Sequence, residues 1–275
     1  MTFFKILSQP DSKSGKWFWV FFLASSMAGV FLRLYLISDQ VILDDEWHAL
    51  NFSIHHSVGY LLTHFSYAGA NIIPLNAYVR MLLVSLGWSE LFLFLPSIVA
   101  GIACLLLFPL VLRKKFSDRV AAVFSFLLAI SPLIIFYSRA CRPYSIYTFL
   151  GFLSLWILYA WCLNGGKKFG ILYVIAGVLC IYFHFVGIIF VFVPLGCAVI
   201  AKLMEKSPRQ QLPPIREKIL PNLAQFVSAG FAILLILTVL LAAAIIHHLP
   251  HMELSPARFS LQSILGFCQI LSVRC

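Results

Sequence analysis

Three consecutive acids, Asp44, Asp45 and Glu46, open the stretch LDDEWHALNFSIHH, and the chain has only ten acids in 275 residues. A carboxylate can accept the proton of an attacking hydroxyl. Arg139 and Arg142, with Tyr144, fall together in YSRACRPYS, and His184 stands in IYFHFVGIIF. An arginine fork binds phosphate oxygens in pairs and keeps its proton. Acids and guanidiniums on one surface suit a reaction on a lipid-linked anionic donor, with sugar leaving phosphate. His48, His55 and His56 recur at roughly helical spacing and His64 follows, but no tight metal-ligand pattern is present. Metal dependence stays open.

Each residue also has a plainer reading. Asp44 and Asp45 can cap a helix, with Glu46 in its first turn favourable to the macrodipole. A cap also fixes direction, so capping and catalysis are compatible. Arg139 and Arg142 can be interfacial anchors whose heads reach to lipid headgroups. His184 is polar near a membrane boundary, where a buried partner or a substrate is expected.

The elements that must hold these residues are apolar. Hydrophobic residues make up 61% of the chain and charged residues 11%, with a mean hydropathy of +0.96. Soluble domains carry about 25% charged residues. The composition therefore predicts an all-α integral membrane protein. The net charge of +10 comes from short basic clusters between apolar runs, so it reads as membrane orientation and not as a nucleic-acid footprint. The seven cysteines are scattered, mostly in apolar runs, and read as small apolar residues. A Cys268–Cys275 disulfide is the one pairing left open.

Seven runs predict membrane spans: 17–37, 91–112, 120–137, 144–163, 169–184, 186–202 and 223–246. The first lacks a small-residue cleavage site and is too long for a signal core, so residues 1–16 read as a cytosolic tail. With the N-terminus inside, 14 of the 20 basic residues lie inside and 5 outside, Arg33 being within the first span. That asymmetry sets the orientation. The acids, the YSRACRPYS turn, His184 and the segment 247–275 with His247, His248 and His251 then share the extracytoplasmic side of an inner membrane.

Residues 38–90 form a long outer loop. Trp47, Leu50, Ile54, Val58, Leu61, Leu62 and Phe65 recur at helical spacing, predicting an amphipathic helix along the membrane surface. A second helix is expected from Pro74 to a stop at Gly87. The Pro-rich, basic segment 203–222 reads as a cytosolic connection.

The order of these features resembles the glycosyltransferase C superfamily, most of all bacterial family 39-like members related to protein O-mannosyltransferases and the lipid A aminoarabinose transferase. The matching pieces over roughly residues 17–200 are DDEWHAL, IIPLNAYVRMLLVSLGWSELFLFLPS, the basic RKKFSDR, SPLIIFYSRACRPYSIYTFL and His184. The resemblance implies an inverting transferase in module 17–246, using a polyprenyl-phosphate sugar at the outer face. Asp45 and Glu46 match the family's acidic pair, with Asp45 as the base or acceptor-orienting group and Asp44 beside them. Arg139, Arg142, Tyr144 and His184 are then the donor-phosphate contacts. Partners would be that donor, membrane lipids and a glycan, lipid or protein acceptor. No cofactor follows with certainty, and a divalent metal stays open.

Two departures qualify the match. Leu95 stands before Pro96 and Ser97, where the pattern usually has arginine. Such enzymes usually continue through further spans, so 247–275 reads as a short tail of a minimal enzyme, a truncated frame or one part of a split protein. The other readings are a transporter or lipid flippase and a catalytically inactive partner. A transporter predicts ionisable residues or broken helices near mid-membrane.

Overall fold

The computed structural model describes residues 15–42, 44–65, 72–87, 89–205 and 223–248, with backbone alone for Asp44, Asp45, Glu205 and His248. The expected tail 1–16 before Gly15, most of the connection 203–222, the segment past His248 and the Cys268–Cys275 pair lie outside the described residues. Every regular element among the described residues is helical. In chain order they are α1 (Gly15–Leu34), a 3-10 turn (Ile37–Asp39), α2 (Asp44–His55), α3 (Val58–Thr63), α4 (Ile73–Ser85), α5 (Glu90–Arg113) and α6 (Asp118–Ile130). Then follow α7 (Pro132–Arg139), α8 (Tyr144–Asn164), α9 (Lys167–Phe183), α10 (Gly187–Glu205) and α11 (Leu223–His248).

Five segments are long and apolar enough to cross a bilayer: Gly15–Asp39, Glu90–Arg113, Tyr144–Asn164, Gly187–Met204 and Leu223–His247. A sixth is counted if α6 and α7, bent by 55° at Ser131, form one span. The run 169–184 corresponds to α9, whose 17 residues extend about 26 Å at the helical rise. That is short of a hydrocarbon core of roughly 30 Å. Large apolar side chains such as Met27, Val99, Phe231 and Val239 lie exposed along the long helices. An apolar outer surface of this extent suits lipid and not water. The chain is a multi-pass helical membrane protein.

One core joins α8, α9, α10 and α11 around Trp161, Tyr173, Ile181, Val191, Phe226 and Ile233. Another joins α2, α4 and α5 through Leu50, Val79, Leu82, Leu93, Phe94 and Ile98, with Cys141 packed into it. The expected surface helix from Trp47 to Phe65 is two helices. Ser57 sits in extended backbone and its side chain accepts from the Tyr60 N–H, starting α3 anew. The apolar pattern runs through this break, so periodicity alone does not reveal it. Helix α4 carries its proline in the first turn and is followed by Gly87 at φ +76°. Ile73, Leu75, Asn76, Ala77 and Val79 are all buried, so its first half is enclosed by the fold.

A helix end and a proline explain two polar contacts. The Leu128 carbonyl lies in the last turn of α6, which stops before extended Ser131, and Arg33 Nη2 donates to it at 3.0 Å. Arg33 Nη1 donates to its own helix at the Gly29 carbonyl, 2.8 Å away, and the residue is fully buried. Proline has no N–H, so inside a helix the carbonyl four residues earlier loses its donor. Pro96, inside α5, frees the Phe92 carbonyl, which accepts from the Tyr78 hydroxyl at 2.7 Å. The kink at Pro132 also turns α7 so that Ser138 lies against Gly101, where a Cβ would collide with the serine side chain.

A candidate active site at one end of the bundle

The turn between α7 and α8 is the hub. Its Cys141 N–H donates to Glu46 Oε1 at 2.5 Å, and its Arg142 carbonyl accepts from Ser97 Oγ at 2.9 Å. Glu46 is 2% exposed, and Ser97 and Arg142 are buried as well. The Arg142 guanidinium lies 5.7 Å from the centre of the Tyr144 ring. Tyr144 in turn packs 4.4 Å from Tyr137 and 5.6 Å from His184, centre to centre. His184 follows the end of α9 and stacks on Tyr147 at 5.0 Å. Segments distant in sequence thus bring Glu46, Arg142, Tyr144 and His184 to one end of the bundle.

Electrostatics tie the same group together. Burial, then the Arg142 charge, push the His184 pKa below its ordinary value. A neutral ring is thereby favoured. The Val186 N–H donates to His184 Nδ1 at 3.2 Å, leaving Nε2 to carry the ring proton. Burial raises the Cys141 thiol to about 12, helped by the nearby Glu46 carboxylate and opposed by Arg142. A thiol so raised stays protonated and is a poor nucleophile. The available chemistry is a carboxylate, a guanidinium and a neutral imidazole with an N–H to offer.

Arg139 has a different setting. Its Nη1 and Nη2 donate to the carbonyls of Leu32 and Leu36 at 3.2 and 3.1 Å, and its Nε donates to Gln40 Oε1 at 3.1 Å. It clamps the end of α1, where Leu36 holds a left-handed φ of 51°. Arg80 plays a similar part, donating at 2.7 Å to the Ile54 carbonyl in the last turn of α2. Cations at helix C-termini satisfy open carbonyls and oppose the negative dipole end.

Asp44 and Asp45 form the first residues of α2, and their side chains lie outside the described residues. With Glu46 they occupy the helix's opening turn. His55 and His56 donate from Nδ1 to the carbonyls of Asn51 and Phe52 at 2.8 and 2.9 Å. Among the described residues, no group of three or more His, Cys, Asp or Glu side chains could hold a metal ion. His251 lies outside the described residues.

Several contributors to the site escape sequence reasoning. Ser97 has one signal, its place after Pro96 at the entry of α5, although its target is a backbone carbonyl 45 positions away. Gln40, Tyr137 and Tyr147 have none, because their roles depend on neighbours from other helices. No family model, curated protein or solved structure matches this chain.

Proposed function

We propose that this protein is a membrane glycosyltransferase that moves a sugar from a polyprenyl-phosphate donor to an acceptor at the extracytoplasmic face. The observation that carries the reading is the convergence of Glu46, Arg142, Tyr144 and His184 at one end of an apolar helical bundle. In the proposed step an acceptor hydroxyl oxygen attacks the anomeric carbon as the bond to phosphate oxygen breaks. Polyprenyl phosphate leaves with the electron pair, and the hydroxyl proton passes to Asp45. Attack opposite the leaving group inverts the anomeric centre.

Within this reading Arg142 holds donor phosphate oxygens, the Nε2–H of His184 adds a neutral donor, and Tyr144 lines the approach. Glu46 fixes the turn that presents Arg142, and Asp44 supports the acidic opening of α2. Arg139 reaches the donor only if it leaves its α1 partners, so it is assigned to holding the site's frame. Counting α6–α7 and α9 each as a crossing restores seven spans, with α2 and α3 at the membrane interface. The basic clusters then place the site outside. A glycan, lipid or protein hydroxyl is the acceptor class.

The test is transfer from a polyprenyl-phosphate sugar by the purified full chain in proteoliposomes. Transfer by the wild type and its loss in Asp45→Asn support the reading. Full turnover in Asp45→Asn removes that carboxylate from the step, and no transfer with any such donor removes the reading. The transporter reading gains one observation, the broken helix pair α6–α7 with a buried arginine beside it. Substrate-stimulated flux in the same vesicles without glycosyl product would favour it.

A further inference from the structure

Helices α5 and α8 pack side by side through Phe108, whose ring lies 5.8 Å from Phe149 and 4.8 Å from Phe152, centre to centre. At the end of the bundle opposite the candidate site, α5 closes on the run Arg113, Lys114, Lys115. Ser97, which bonds the Arg142 carbonyl, and Arg113 both lie on α5, about 24 Å apart along its axis. That distance approaches a hydrocarbon core of roughly 30 Å, so the α5–α6 turn stands at the second membrane interface.

The cations of this run are used differently. Arg113 is committed inside the protein. Its Nε and Nη2 donate to Asp118 Oδ1 and Oδ2 at 2.8 and 3.3 Å. Its guanidinium also lies over the rings of Phe18 and Trp19, at 4.3 and 5.0 Å. Lys114 and Lys115 are exposed, on a turn whose Lys115 and Phe116 N–H groups donate to the Leu112 carbonyl at 3.0 and 2.8 Å. Lys115 reaches across to α8, where its Nζ sits 4.8 Å from the centre of the Tyr159 ring. Tyr159 is itself 41% exposed and is steadied by Trp156, stacked on it at 5.6 Å.

We propose that Lys114, Lys115 and Tyr159 bind the headgroup phosphate of an anionic phospholipid, whose acyl chain runs along α5 and α8 into the membrane. The proposal stands independently of the transferase reading. The tyrosine face holds one side of the Lys115 ammonium and leaves its other N–H groups for phosphate oxygens. Lys114 brings a second cation to the same turn. Paired cations at an interface attract a headgroup with net negative charge. They attract a zwitterionic headgroup far less, because its own cation offsets the phosphate.

The neighbouring surface fits the other half of such a ligand. Leu155 lies one turn deeper than Tyr159 on α8, and Leu107 lies two turns before Lys114 on α5. Both are exposed. A cationic turn at the interface thus leads into apolar side chains on the same two helices, which is the order of groups along a phospholipid. A soluble phosphate compound would use the cations and leave those leucines uncovered.

The test is native mass spectrometry of the purified full chain in detergent, titrated with phosphatidylglycerol or with phosphatidylcholine of the same acyl chains. The wild type should bind one phosphatidylglycerol with at least about tenfold preference, and Lys114→Gln/Lys115→Gln should lose it, since each lysine near an anionic lipid contributes about fivefold. Lys114→Arg/Lys115→Arg keeps both charges and should keep the preference. Lys167→Gln/Lys168→Gln removes the same charge from exposed positions at the start of α9 and should leave the preference intact. Excess inorganic phosphate should not displace the lipid. Equal binding of the two lipids by the wild type overturns the site, as does a preference that survives in Lys114→Gln/Lys115→Gln. Equal loss in the two glutamine pairs marks a diffuse basic surface and overturns it too. Displacement by inorganic phosphate assigns the lysines to a free anion and overturns the lipid.

Discussion

Cys141 presents its backbone N–H to the carboxylate of Glu46, a residue 95 positions earlier. The bond joins the opening turn of α2 to the α7–α8 turn and fixes the backbone that carries Arg142. Acids in a mostly apolar chain thus have a structural task before any catalytic one, since a buried amide needs an acceptor.

Glu46→Gln and Glu46→Ala should therefore separate. Glutamine keeps an acceptor oxygen for the Cys141 N–H, whereas alanine leaves it buried and unmet. Alanine should lower stability by about 1–3 kcal/mol, and glutamine by less. Unfolding midpoints in detergent measure the difference.

The contact between Arg33 and the Leu128 carbonyl makes a stability test. Arg33→Met strands that carbonyl and should cost about 1–3 kcal/mol. Thermal unfolding of the wild type and the variant in detergent measures the loss, and an unchanged midpoint would contradict the contact.

The tyrosine beside Pro96 gives a milder test that does involve a proline. Tyr78→Phe removes the donor to the Phe92 carbonyl and should cost about 1 kcal/mol. Pro96→Ala in the same chain should recover part of that loss. Thermal unfolding of the four chains in the cycle tests this.

His184 gives a pH prediction with a definite sign. Its folded pKa is lowered, first by burial and then by Arg142, so the unfolded chain binds the proton more readily. Stability from this residue is complete above the unfolded value of about 6.5. It is lost progressively as pH falls from there toward the lowered folded value. His184→Gln should flatten that part of the stability–pH curve. Arg142→Gln should move the His184 titration upward, as read by NMR of the labelled ring.

The helical, multi-span character was legible because hydropathy acts over whole segments. Charge alternation likewise puts Glu46, Arg142, Tyr144 and His184 on one side. Their partners were not legible. Arg139 reads as a phosphate ligand by residue type, yet the carbonyls of Leu32 and Leu36 come within its reach only when α7 turns back on α1. Arg33 stands within an apolar span, and its partner is an end-of-helix carbonyl on another helix. The missing proton at a proline is visible in sequence, but the donor that replaces it is not. The α2–α3 break was hidden for a related reason, because Ser57 interrupts the backbone without interrupting the apolar stripe.

The central claim is best tested by mass-spectrometric comparison of cell-envelope glycans and glycolipids from cells with the gene, without it, and with Asp45→Asn. The account expects one envelope species to lose a sugar in the deletion, and the same loss in Asp45→Asn. An envelope unchanged by the deletion would contradict it.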